Sequence, residues 1–213
     1  MKPFETFRGL VAGIDRANID TDQIIPKQFL KSIKRTGFGE SLFFDWRYHP
    51  DGLPNQDFEL NQPRFKGASI LVARNNFGCG SSREHAVWAI AQYGFKCVIA
   101  PSGENSGSRI PAFADIFRNN CSQNALLTVE LTEREVNQIF QMVHEHPGLE
   151  AAVDLEKQQV VFYPKDKVFF HFDIDVAVKE RLLKGLDDIG LTLQYEKTIR
   201  EFELKHNTYC SWK

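Results

Sequence analysis

Between Phe77 and Ala86 the chain reads Phe-Gly-Cys-Gly-Ser-Ser-Arg-Glu-His-Ala, and these residue types, in this order, suit the capture of an anion. Gly78 and Gly80 let a ligand come close to the backbone. Ser81 and Ser82 bring hydroxyls, and Arg83 brings a planar guanidinium whose fork matches a carboxylate. The segment follows an apolar run, Ala68 to Ala73, and precedes a stretch from His85 to Tyr93 with Ala, Val, Trp and Ile on one side. It therefore reads as the turn from a buried strand into a helix. The first N–H groups of that helix and the positive end of its dipole would face the anion, with phosphate or carboxylate as the natural ligand. A plainer reading stands beside this one: Ser81 or Ser82 is a helix N-cap and Glu84 completes a capping box. The segment is neither a P-loop nor a Gly-x-Ser-x-Gly nucleophile elbow.

The elements around it have to hold this turn. Phe7 to Gly13 reads as a strand, followed by a polar turn, Asn18-Ile19-Asp20-Thr21-Asp22. From Pro26 to about Tyr48, glycines and scattered charge (Lys27, Lys31, Lys34, Arg35, Arg47) suggest a mobile loop with a short helix before it. Residues 51–64 read as irregular. Lys96 to Ala100 and Ala125 to Glu130 are strands, and Phe113 to Asn119 is a short helix. Thr132-Glu133-Arg134-Glu135 starts a helix with a capping signature that runs to about His144. Ala151 to Leu155, Val160 to Tyr163 and Val168 to Phe172 alternate as strands. A helical tail spans about 176–205, broken near Gly185 and Gly190. Strands alternating with helices, and a late cluster of strands, give an α/β domain with a mixed sheet.

The 213 residues are 42% hydrophobic and 25% charged, with a net charge of −2, an ordinary composition for a globular protein with a real core. That charge argues against a general binder of nucleic acid or membrane surfaces. The 18 phenylalanines read as core packing. No stretch reaches the roughly 20 apolar residues that span a bilayer. The first residues are not followed by a signal-peptide core, so a cytoplasmic location is expected. Cys79, Cys97, Cys121 and Cys210 form no Cys-x-x-Cys pair and resemble no disulfide framework. A chain with this cysteine spacing is not expected to hold an iron–sulfur cluster by itself.

Four segments resemble a known family. Gly80-Ser81-Ser82-Arg83-Glu84-His85 resembles the signature of the swivelling domain of the aconitase superfamily. Asn18-Ile19-Asp20-Thr21-Asp22-Gln23-Ile24-Ile25-Pro26 is similar to a motif near the start of isopropylmalate dehydratase small subunits. Phe113 to Asn120 and Leu186 to Leu193 resemble two helices of the same family. The motifs stand in the family's order and cover nearly the whole chain.

The resemblance implies an α/β fold, the swivelling β/β/α domain with a mixed sheet flanked by helices. It implies one such domain over residues 1–213, with its helical tail at about 176–205. It also implies the isomerisation of 2-isopropylmalate and 3-isopropylmalate by dehydration and rehydration, in leucine biosynthesis. A large subunit would carry a 4Fe–4S cluster, and this chain would bind no cofactor or metal. Ser81 matches the family's serine base, which needs surroundings that stabilise an alkoxide. Ser82 and Arg83 match carboxylate-binding positions. Thr21 and Asp22 match residues that face the same site, although a structural Asx-type turn would also explain them. The basic stretch 27–47 matches a region tied to substrate choice, where Phe29, Leu30 and Ile33 are candidates for the apolar contact; an ordinary solvated loop is the other reading. His85 and Cys79 read as packing, and Asp115 and Arg118 as helix-surface residues as readily as functional ones. The ligand would be a small dicarboxylic acid, with no nucleic acid or membrane as partner.

The sequence departs from the family after Ser102, where residues 103–112 intervene before the Phe113 helix. This Gly- and Ser-rich segment reads as a flexible surface loop whose closure costs little. Two alternatives remain: a related hydro-lyase acting on homoaconitate or on citramalate- or citrate-type acids, and a non-catalytic anion- or RNA-binding relative. The intact Ser81-Ser82-Arg83 and the net charge argue against the second.

Overall fold

Residues Phe7–Gly13 form the first strand, β1, and its burial divides it in two. Phe7 to Leu10 pair antiparallel with Glu150–Asp154 (β6), while Val11 to Gly13 are buried and pair parallel with Ile70–Val72 (β2). One strand thus joins an antiparallel half of the sheet to a parallel half. The computed structural model describes residues 1–31, 35–81, 83–105 and 107–206. Chain order runs through α1 (Thr21–Ile24), α2 (Phe44–Arg47), β2, α3 (Glu84–Tyr93), β3 (Cys97–Asn105), β4 (Ser108–Ile110), α4 (Asp115–Gln123) and β5 (Leu127–Thr132). It continues with α5 (Glu133–Glu145), β6, β7 (Gln159–Phe162), β8 (Val168–His171), α6 (Val176–Lys184), α7 (Asp188–Leu193) and α8 (Glu196–Lys205). Short 3-10 turns occupy Lys27–Lys31, Phe38–Ser41, Glu59–Asn61 and Pro63–Phe65.

The sheet has eight strands in the order β4-β3-β2-β1-β6-β7-β8, and β5 pairs with β3 along its edge away from β2. Strands β1, β2, β3 and β5 run parallel and β6 to β8 antiparallel, so the expected mixed sheet is present. Strand β2, in the middle of the parallel half, is apolar and buried throughout, as a strand covered on both faces must be. Helix α5 lies across β1, β2, β3 and β5, and α3 packs against α1 and α4. Thr132 caps α5: its hydroxyl accepts from Glu135 N–H, and the Glu135 carboxylate accepts from Thr132 N–H, as the sequence signature predicts. The phenylalanines are largely core, with Phe43, Phe58, Phe77, Phe95, Phe113, Phe117 and Phe162 fully buried.

Three expectations need correction. The described residues of the region 26–48 are not one loop after a short helix; they include two 3-10 turns and α2. Segment 103–112 is not a structureless loop, because β3 runs on through Asn105 and pairs with β4 as a hairpin. There Arg109 pairs with Glu130 of β5, an ordering contact that composition does not reveal. The tail does break at Gly185, which takes a left-handed φ of 65° and caps α6, but Gly190 lies inside α7. The second break falls at Gln194 and Tyr195. Gly185 also receives the chain's start: the Met1 ammonium donates to its carbonyl at 3.0 Å. A Cβ at Gly185 would sit 2.6 Å from the Pro3 nitrogen.

Candidate active site

The turn after β2 is held from two sides. On one side, Asn18 N–H donates to Asn75 C=O at 3.0 Å, Gly78 N–H to Ile19 C=O at 2.7 Å, and Thr21 N–H to Cys79 C=O at 3.0 Å. On the other, Asn76 N–H donates to Pro111 C=O, Phe77 N–H to Ala112 C=O, and Ala114 N–H back to Phe77 C=O. Three of the sequence motifs therefore meet as neighbouring strands of backbone. Gly78 makes this possible. Its φ is 75°, and a Cβ there would lie 2.2 Å from the Phe117 ring of α4. A side chain would be excluded twice, by conformation and by space.

Ser81 ends this turn and is exposed. Its carbonyl accepts a 2.7 Å hydrogen bond from the Thr21 hydroxyl. Thr21 is buried at 1% exposure, so its hydroxyl positions Ser81 and does not face solvent. Asp20 caps α1 in a complete capping box with Gln23, which sets the direction of Thr21 and Asp22. The Asx-turn reading of this motif and its service to the Ser81 turn are therefore one arrangement.

Arg83 is the N-cap residue of α3, and its own side chain makes no capping hydrogen bond. Arg83 Nη1 lies 2.9 Å from Asp22 Oδ1, and Lys27 Nζ lies 3.3 Å from Asp22 Oδ2. Both atoms of the Asp22–Arg83 contact are buried, yet neither has an aligned hydrogen-bond partner. Distance and alignment disagree here, and the physical meaning is an ion pair held by charge with hydrogen-bonding capacity left over. A carboxylate brought to this point would meet an arginine already oriented and partly desolvated, beside a helix start with its dipole directed at it.

The other expected residues fall as follows. Phe29 and Leu30 are half-buried, and the Phe29 ring meets Phe44 edge-on at 4.9 Å. Ser82 and Ile33 lie outside the described residues. His85 packs against Phe38 and Trp88, at ring distances of 5.2 and 4.8 Å. Arg118 pairs with Glu130, and Asp115 is exposed. Sequence reasoning missed Gln92, whose carboxamide reaches back to the segment after Lys34; only its place on the same helix face as His85 and Trp88 signals it. A cavity of about 680 Å³ opens elsewhere, bounded by Arg118, Glu130, Thr132, His171 and Asp175, and none of Thr21, Asp22, Ser81 or Arg83 lines it.

The family resemblance implies an iron–sulfur cluster in the assembled enzyme; Cys210 lies outside the described residues, and the described residues do not fit one. Among the described residues, no group of three or more His, Cys, Asp and Glu side chains is placed to hold a metal. Burial pushes the Cys97 and Cys121 thiols far up, and burial followed by the Asp20 charge pushes the Cys79 thiol up, which opposes the thiolate form a cluster needs.

A mixed sheet whose parallel half carries a glycine-rich turn between β2 and α3 goes with a class of protein, the aconitase C-terminal domain, whose family model matches residues 1–134. The model for the C-terminal domain of 3-isopropylmalate dehydratase small subunits matches residues 188–212. The chain is 53% identical over 209 residues to the 3-isopropylmalate dehydratase small subunit of Desulforapulum autotrophicum, covering 98% of each chain. It is 52% identical over 221 residues to that of Methylibium petroleiphilum, covering 100% of this chain and 97% of the relative. A crystal structure of 3-isopropylmalate dehydratase from Methanocaldococcus jannaschii matches at a TM-score of 0.62 and 24% identity, over 93% of this chain and 99% of the other, a likeness of fold. The chain belongs to the family of 3-isopropylmalate dehydratase small subunits, and so to the subunits of a hydro-lyase of leucine biosynthesis.

Proposed function

We propose that this chain works with a large subunit to interconvert 2-isopropylmalate and 3-isopropylmalate, and that Ser81 is the base of the reaction. The large subunit carries the 4Fe–4S cluster, and the pair works in the cytoplasm. The observation that carries the reading is the meeting of the Asn18–Asp22 motif with the 77–83 turn, where Thr21 holds Ser81 and Asp22 holds Arg83.

The proton to be removed lies alpha to a carboxylate and is weakly acidic, so a base has to stand within hydrogen-bond reach of it. Ser81 Oγ takes that proton as the C–O bond on the neighbouring carbon breaks and the hydroxyl leaves as water, with the Lewis-acid help that the large subunit's cluster would supply; on rehydration the proton returns at that neighbouring carbon and water adds at the first. The start of α3 and the Arg83 guanidinium stabilise negative charge at Ser81 Oγ. Arg83, together with Ser82, binds a substrate carboxylate. Asp22 keeps the guanidinium fork turned to the site, and Thr21 acts through the Ser81 carbonyl. Phe29, Leu30 and Ile33 belong to the segment that meets the isopropyl group.

The test mixes this chain with a cluster-loaded large subunit under anaerobic conditions and follows the unsaturated diacid formed from 3-isopropylmalate by ultraviolet absorbance. Activity is expected only with both chains, and Ser81→Ala is expected to lower kcat by at least about a hundredfold while substrate still binds. Full activity of Ser81→Ala would remove the serine from its role. Turnover of a different diacid in place of isopropylmalate would move the assignment to a related hydro-lyase.

A further inference from the structure

Helix α3 carries the anion-binding turn at its start, and its side chains reach a second segment further along. The Gln92 carboxamide spans the turn from Arg35 to Phe38: Nε2 donates to Arg35 C=O at 2.8 Å, and Oε1 accepts from Phe38 N–H at 2.9 Å. A single side chain thus satisfies one donor and one acceptor that the turn, with Gly37 at a φ of 94°, leaves open. Gly39 follows directly. A Cβ there would lie 2.7 Å from the Gln92 carbonyl carbon, so the backbone of this segment rests on the last turn of α3. Phe38 is buried, with its ring against His85 and Trp88. The Arg35 guanidinium stands 5.6 Å from the centre of the Trp88 ring. His85, Trp88 and Gln92 occupy positions i, i+3 and i+7, one face of the helix.

We infer that Gln92 is a positioning residue for substrate selection: through Arg35 and Phe38 it sets where the segment carrying Phe29 and Leu30 stands relative to Arg83. This rests on the functional reading above, in which that segment meets the substrate's side chain. The physical link is α3 itself, a stiff element whose first residue follows Arg83 and whose last turn carries Gln92. Gln92 is exposed and belongs to no part of the core, so replacing it leaves the fold intact.

Two variants test this in the full chain. Gln92→Met removes both hydrogen bonds at nearly constant size, and Gln92→Glu keeps the acceptor for Phe38 N–H while losing the donor to Arg35. The first readout is tryptic cleavage of the Arg35–Thr36 bond, whose carbonyl is the one Gln92 holds. Gln92→Met is expected to be cut about fivefold to tenfold faster than the parent, with Gln92→Glu between them. The second is the steady-state comparison of isopropylmalate with a methyl-substituted malate, using the reconstituted pair. Gln92→Met is expected to raise KM for isopropylmalate about fivefold, leave kcat unchanged, and lower the preference for isopropylmalate. An unchanged cleavage rate, an unchanged preference, or a fall in kcat at constant KM would each overturn the inference. If the parent pair is inactive on every diacid, the functional reading fails, and the cleavage rates alone decide whether Gln92 holds the segment.

Discussion

Arg83 and Asp22 form a contact whose distance is that of a strong ion pair and whose angle is not that of a hydrogen bond. Removing Asp22 leaves the Arg83 guanidinium without this partner, whereas removing Arg83 still leaves Asp22 beside Lys27. Asp22→Asn is expected to raise KM for the diacid about tenfold, by freeing the guanidinium to turn away. Arg83→Lys, which keeps the charge but loses the planar fork, is expected to lower kcat/KM about a hundredfold; steady-state kinetics of the reconstituted pair reads both. If Arg83→Lys keeps its KM, the arginine is not the carboxylate-binding group. Gly78 makes a purely steric prediction. Gly78→Ala forces a Cβ into the Phe117 ring at a left-handed φ, so it is expected to cost about 2–4 kcal/mol of stability, read as a lower urea midpoint.

Besides the backbone ladder of β3, charge ties the hairpin of β3 and β4 to β5. Glu130 on β5 receives Arg109 from the hairpin and Arg118 from α4. Burial pushes its carboxyl up, but hydrogen bonds from Arg118, Ser102 and Arg109 outweigh this and hold it below the ordinary glutamate value. A carboxyl depressed in the folded state binds protons more readily when unfolded. Its contribution is therefore full at neutral pH and is lost as the pH falls past the unfolded value and through the folded one. Glu130→Gln is expected to show a flatter decline of urea midpoint between neutral and mildly acidic pH than the parent, and equal slopes would show that the cluster adds nothing. Two residues further along β5, Thr132→Ala removes one half of a capping box and is expected to cost about 1 kcal/mol by the same measurement.

Across the whole molecule, order is unevenly supported. Strand β2, Val11 to Gly13 of β1 and Cys97 to Pro101 of β3 sit in the buried core, whereas α7 and α8 contain no buried residue, and Ile189, Leu193, Phe202 and Leu204 on them, with Tyr195 between them, are exposed. We propose that residues 1–213 form one domain with 176–205 as its tail. Native-state hydrogen exchange is then expected to give a common protection for the amides of β2, β3, β6 and β7, because β1 pairs with both halves of the sheet. Protection in α7 and α8 is expected to be far lower. Two distinct plateaus for the parallel and antiparallel strands would divide the chain into two units. Among the described residues no helix is long and apolar enough to cross a membrane.

What the sequence determined by itself is local. The strands at Phe7–Gly13 and Ile70–Val72, the α3 and α5 helices and the Thr132 cap are written in hydrophobic period and in residues a few positions apart. The glycines, serines and arginine before α3 suit an anion site by residue type alone, as the same residues also suit a plain helix cap. Tertiary structure decided which residues serve that site and how. Thr21 reaches the Ser81 carbonyl across 60 residues, and Asp22 reaches Arg83 across a similar separation, contacts set by the pairing of β1 beside β2. The same holds for segment 103–112, whose composition resembles a flexible loop but which continues β3 as a hairpin and is pinned by Glu130. It holds also for Gln92, an unremarkable helix residue until the chain from Arg35 to Gly39 is laid against it. Hydrophobic period records which face of an element is buried; it carries no record of which distant backbone groups that face will bring within hydrogen-bond reach.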